Sequence, residues 1–179
     1  KKIWASGRVS GLLGEFASPY SEKADLDEAG YLDFIKITRD ITALPSSCYI
    51  IRKSAYLNVS GMDCTDLGDH FADIDLCLKL RKQNHRLIVH PRSSVVFGGE
   101  TSLYDLKKRA EATIKRMAAG ATLRQRWGGD VVVDPYWNPN LSLSDVVPQP
   151  ETEFRAQWQY LPTDKPRILA HALGNGQGD

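Results

Sequence analysis

Residues 71–91 read FADIDLCLKLRKQNHRLIVHP. Two acids, Asp73 and Asp75, stand one residue apart ahead of a Leu/Cys/Leu/Leu run. A basic cluster follows, then a short apolar run that stops at Pro91. Ile74, Cys77, Leu78 and Arg81 fall at helical spacing, and residues 86–90 (RLIVH) are β-prone, so the stretch reads helix, turn, strand. The acids then lie at the mouth of the helix. A carboxylate in a first helical turn meets the positive end of the macrodipole and unpaired backbone N–H groups, which keep it ionised. That environment suits an N-cap. It equally suits a general base that must be deprotonated near neutral pH.

Working outward, residues 94–97 (SVVF) predict a second short strand. Over residues 102–127, Leu103, Leu106, Ala110, Ile114, Met117 and Ala121 recur every three or four positions. This predicts a helix with that stripe on the core and Lys107, Lys108, Lys115 and Arg116 solvated. Gly120 is expected to break it and Gly128–Gly129 to end it. Upstream, residues 48–53 (CYIIRK) are the better of two extended candidates in 31–62, followed by a helical turn over 53–59 and a stop at Gly61. Residues 1–30 read as irregular with a short strand near the start. Alternating strand and helix argue for an α/β layered fold.

Composition narrows the function classes. The chain has 179 residues, of which 42% are hydrophobic and 25% charged, values of a globular domain large enough for a sizeable core. A formal net charge of +1 offers no nucleic-acid footprint. Cys48, Cys64 and Cys77 are odd in number and widely spaced, which reads as buried free thiols in a reducing compartment. No apolar run approaches the roughly 18 residues of a membrane span. The first residues contain no starting methionine, as expected of a piece of a longer chain.

Several segments together resemble one family. SGMD (60–63), FADIDLCLKLR (71–81), HRLIVHP (85–91), GGETS (98–102) and DPYWNPNLSL (134–143) follow the order and spacing of the C-terminal half of inverting family 2 glycosyltransferases. Residues 41–56 (ITALPSSCYIIRKSAY) and 3–11 (IWASGRVSG) are similar to stretches just upstream in that family. The resemblance covers residues 3 to about 143. It implies a partial GT-A-like mixed sheet with flanking helices. It also implies a catalytic base at Asp73, which would deprotonate the acceptor hydroxyl as that oxygen displaces a nucleoside diphosphate from the sugar. Ser46, Ser47 and Asp75 would line the acceptor side, with Asp75 pointing elsewhere on the helix and fixing the backbone.

The resemblance further implies a nucleotide-sugar donor and a glycan acceptor as partners, together with the remainder of the same polypeptide. The setting would be cell-surface polysaccharide or glycan synthesis in the cytoplasm, with peripheral association at the inner face of the membrane. A divalent cation, Mg or Mn, belongs to the intact parent, its ligands lying outside this segment. No metal is expected bound here. The departures are Ala72 in place of a polar residue before the base, Phe97–Gly98–Gly99 where the family carries histidine, and Ser46–Ser47 in place of Gly-Ala. They leave open a non-catalytic scaffold or acceptor-binding domain of the same descent. Residues 123–127 (LRQRW) resemble the Gln-x-x-Arg-Trp signature of processive synthases, but Leu123 breaks the register. The expected organisation is a transferase half over 1–147 and a linker over 148–166. Residues 167–179 would be a flexible tail or the start of a following α/β domain.

Overall fold

A helix over Gly68–Lys82, α2, is the centre on which the other elements are laid. Residues 71–78 are all buried, the two aspartates included. A helix enclosed on every side carries apolar residues around its whole circumference rather than along one stripe. The computed structural model describes residues 2–21, 23–96 and 106–152 and, for Asp69 and residues 106–111, the backbone alone. Packed against α2 are α1 (Lys53–Asn58) and the C-terminal turns of α3 (Leu106–Trp127). Phe71, Ile74, Leu78, Leu123, Trp127 and Val131 share the main core with residues from both.

The strands are short. β1 (Val9–Ser10) pairs antiparallel with β2 (Phe16–Ala17), Val9 opposite Ala17. β3 (Arg39–Asp40) pairs antiparallel with β4 (Ile88–Val89), Arg39 opposite Val89. The result is a mixed α/β architecture of small antiparallel sheets and helices. The β1–β2 turn needs Gly11: its φ is +80°, and a Cβ there would stand 2.8 Å from the Val132 carbonyl oxygen. Two smaller apolar clusters flank the hairpin, one on Ile3, Tyr20, Ala24 and Ile35, the other on Val9, Leu12, Trp137 and Leu141. Phe34 joins them, its ring 6.1 Å from Tyr20 and 5.9 Å from Trp137 between centroids, with the Arg39 guanidinium 3.8 Å above it.

Four expectations are corrected here. First, α2 begins at Gly68, so Asp73 is in its second turn and is no N-cap. Second, residues 48–52 form no strand, and Ile50 is 98% exposed. An extended run stays out of a sheet unless a neighbour takes its backbone groups, and none of the described strands lies beside it. Residues 94–96 likewise form no strand, and Phe97 lies outside the described residues. Third, α3 runs through Gly120 to Trp127 and buries Ala119, Leu123 and Trp127, while Ile114 is 68% and Met117 69% exposed. Among the described side chains of α3 the buried apolar ones lie in its last turns, from Ala119 onward. Gly120 faces the Phe71 ring, and a Cβ there would make ordinary van der Waals contact with it at 3.4 Å. Lys115 and Arg116 are exposed, Arg116 pairing with Glu15. Leu103 lies outside the described residues, as do the side chains of Leu106, Lys107, Lys108 and Ala110. Fourth, Cys77 is buried but Cys48 and Cys64 are exposed.

At the C-terminal side Leu141 bridges to Pro150, and the Glu151 N–H donates to the Asn140 carbonyl at 2.8 Å. The chain is therefore still tied to the fold at residue 151. Residues 153–179 lie outside the described residues. Among the described residues no helix is long and apolar enough to cross a membrane.

Candidate functional site

Arg8 and Ala43 exchange backbone hydrogen bonds, N–H to carbonyl at 2.7 Å and 3.3 Å, which lays residues 42–46 between the N-terminal segment and α2. From there the backbone is stitched along one face of the helix. The Leu44 N–H donates to Cys77 Sγ at 3.3 Å, and the Ser46 N–H donates to Asp73 Oδ2 at 2.9 Å, one helical turn earlier. The Arg8 guanidinium approaches the same Oδ2 to 3.5 Å, while Oδ1 accepts from the Ile74 N–H at 2.9 Å. The Asp73 side chain is buried, at 3% residue exposure. Burying an unpaired carboxylate would cost several kcal/mol, and these partners offset it. Burial pushes the Cys77 thiol up to about 12, so it stays protonated and inert.

Arg8 and Ser46, the two groups on Asp73 Oδ2, both line a cavity of about 770 Å³, with Ser47, Trp4, Lys23 and Asp145 among its walls. Asp73 itself sits directly behind that wall. Ser46 and Ser47 thus come together with Asp73.

Asp75 does not join them. Two residues on, it faces the opposite side of α2 and is fully buried. Its Oδ1 accepts from Arg126 Nη1 at 3.0 Å and from Trp127 Nε1 at 2.9 Å. Lys79 Nζ stands 2.7 Å from Oδ2 without hydrogen-bond alignment, and donates to the Gly61 carbonyl at 3.3 Å. Arg126 also reaches Asp63 at 2.9 Å and Asp66 at 3.3 Å. Of the LRQRW stretch, Trp127 is buried in the core, while Arg126 is exposed and reaches Asp75 from the surface. The three carboxylates are thus paired with one guanidinium. Among the described residues no group of three or more His, Cys, Asp or Glu side chains could hold a metal ion.

Several contributors gave no signal in sequence. Arg8 sits in a Gly/Ser-rich segment, and Trp4 in a stretch that reads as plain strand and loop. Asp134 lies in the DPYW run, where its fold-joining role was not evident. Its carboxylate accepts from the Ser10 N–H at 2.7 Å and the Tyr136 N–H at 2.8 Å, tying β1 to the segment after α3. Burial pushes its pKa up, against the opposing pull of those bonds and of the nearby Thr42 hydroxyl, which lacks a fully aligned bond. His90 is exposed and paired with Thr38 at 2.8 Å. Ala72 is buried in the core and brings no polar atom to Asp73. Gly98 and Gly99 lie outside the described residues.

Comparison with known proteins adds one relative and no family. No family profile matches the chain, and no solved structure matches it. A Sinorhizobium fredii protein described as uncharacterized protein y4gI is similar, 26% identical over 117 residues. That alignment takes in 65% of this chain and 13% of the relative, so the chain spans a small part of the length of the protein it matches.

Proposed function

We propose that the chain is the acceptor-side part of an inverting, nucleotide-sugar-dependent glycosyltransferase with a GT-A-like fold, and that Asp73 is its general base. One observation carries the reading: Asp73 Oδ2 is held by two groups, the Ser46 N–H and Arg8, that both belong to the wall of the large cavity. The five sequence segments in register support it. In this reading an acceptor hydroxyl enters the cavity and Arg8 swings from Asp73 into it, uncovering the carboxylate. The Ser46 N–H keeps the carboxylate oriented. Asp73 takes the hydroxyl proton as the oxygen bonds to the anomeric carbon and the bond to the nucleoside diphosphate breaks. A divalent ion would neutralise that leaving group in such enzymes; the described residues do not fit one, since no group of three or more His, Cys, Asp or Glu side chains among them could hold it.

A second reading, a non-catalytic scaffold of the same descent, draws on the depth of Asp73 and on its satisfied oxygens. One substitution separates the two. In the longer protein, Asp73→Asn should cut transfer by about 10²–10⁴-fold, the ordinary contribution of a general base. Donor affinity should stay unchanged. Nucleoside-diphosphate release reports turnover and calorimetry reports donor binding. Full turnover in the variant removes Asp73 from the reaction and leaves the scaffold.

A further inference from the structure

Strand β2 separates two cavities. Successive residues of a strand point to opposite faces. Ala17 lines the cavity of Ser46 and Ser47, while Phe16 lines a second one of about 270 Å³. This second cavity lies between the β1–β2 turn, the last turns of α3 and residues 131–132. Phe16, Phe71, Leu123 and Val131, all buried in the main core, give it an apolar lining. Gly11, Gly14 and Gly120 contribute backbone alone, which leaves the space open. The groups that hold Asp73 are not among its walls.

One charge of this lining is unmatched. Arg124 is exposed and, among the described residues, makes no ion pair or hydrogen bond. Its guanidinium folds back along α3: a Cβ on Gly120 would stand 3.6 Å from Arg124 Nη1 and 3.4 Å from the Phe71 ring. A cation is thus set beside an aromatic ring at an apolar cavity. Glu15, the other charged residue of the lining, is taken by Arg116. A guanidinium presents a planar fork that matches a carboxylate with two parallel hydrogen bonds. Glu15 in the same lining works against a dianion, so a single negative charge fits best. A cavity of about 150 Å³ already accommodates benzene. At about 270 Å³ this one takes a six-membered ring with a short chain, or a chain of similar bulk.

We infer that this second cavity binds a small hydrophobic monocarboxylate, its hydrocarbon body against Phe16, Phe71, Leu123 and Val131 and its carboxylate on Arg124. The body supplies affinity by leaving water, and the guanidinium selects the charged end. The site stands whether or not the chain takes part in sugar transfer.

The test uses this chain, isotope-labelled for NMR, and two probes, hydrocinnamate and octanoate. At least one should bind, with amide shifts concentrated at Gly11, Gly14, Gly120 and Val132. Controls of matching shape are the neutral hydrocinnamamide and the cationic phenylpropylamine. Loss of the negative charge should weaken binding by about tenfold or more, as expected for a hydrogen bond to an ionised group, and its reversal further. Arg124→Met should bring the same loss for the carboxylate, while Arg124→Lys should keep part of the affinity. Because Arg124 is exposed, both variants should retain the wild-type far-UV circular dichroism. Absence of those shifts with both carboxylates overturns the inference. Equal binding of hydrocinnamate and hydrocinnamamide, or equal carboxylate affinity in Arg124→Met, does the same. So do shifts spread over exposed apolar residues such as Ile50 and Leu32, the mark of detergent-like association.

Discussion

The buried acids of this chain are held in three different ways. Asp73 has two backbone N–H donors and a guanidinium, and Asp75 has two donors and two cations. Asp134 has no ion pair among the described residues, and burial raises its pKa above the usual 3.8. The sign follows from proton counting. Between 3.8 and the raised value, the folded state keeps a proton that the unfolded state has lost, so stability falls as pH rises. The cost is fully present above the folded pKa and is relieved as pH falls toward 3.8. Asp40 and Asp63, whose pKa values lie below the usual carboxylate range, act in the opposite sense. Comparison with Asp134→Asn cancels those two. The variant carries a pH-independent loss of about 1 kcal/mol, since an amide nitrogen cannot accept one of the two N–H groups that Asp134 serves, and the titration of Asp134 is superposed on it. Its deficit should be largest near pH 4 and shrink toward pH 7, measured as urea midpoints. A deficit that grows with pH would mean the carboxylate is stabilised as the anion.

At the scale of elements, α3 and α2 are joined end to middle by one guanidinium and one indole. Arg126→Met removes the cation from Asp75, which is fully buried, and from Asp63 and Asp66. Breaking a buried pair from one side costs about 3–5 kcal/mol. Lys79 still stands 2.7 Å from Asp75, so a loss near 3 kcal/mol is expected, read from chemical denaturation. Replacing Arg126 and Asp75 together, with Met and Leu, should recover part of it. A loss below about 1 kcal/mol for Arg126→Met alone would mean that Lys79 suffices. The pair also marks what sequence could and could not reveal. α2 was legible because an apolar run of helical spacing has few other ways to be buried, and β4 because RLIV is short and bounded by Pro91. The inward face of α3 was not legible. Its Leu/Ile/Met stripe has the better periodicity, yet the covered side is Ala119, Gly120 and Leu123, the side that meets Phe71. CYIIRK has strand composition, but composition does not supply a neighbour. Of the candidate site, Asp73, Ser46 and Ser47 were named from the resemblance. Arg8 was not, because its place depends on a two-bond pairing with Ala43 across 35 residues of chain.

For the whole molecule, the proposed reading raises the question of how much of a transferase 179 residues could supply. The chain offers a carboxylate, a loop that orients it and a cavity large enough for a saccharide, all on one side of α2. Transfer needs more. A general base contributes about 10²–10⁴-fold, and only once an acceptor is positioned against a bound donor. Positioning and stabilisation of the departing diphosphate supply larger shares of the barrier. Among the described residues, no carboxylate or histidine cluster is free to hold a cation for that diphosphate. The isolated chain should therefore release no nucleoside diphosphate from uridine- or guanosine-diphosphate sugars above the buffer rate, with or without Mg or Mn. The longer protein should release it under the same conditions. Both can be followed by the same coupled assay. Turnover by the isolated chain would place a donor site within these residues and overturn the assignment to the acceptor side. Absence of turnover in the longer protein across both donor classes would instead favour the scaffold, with Asp73 kept for the packing of the 44–46 loop.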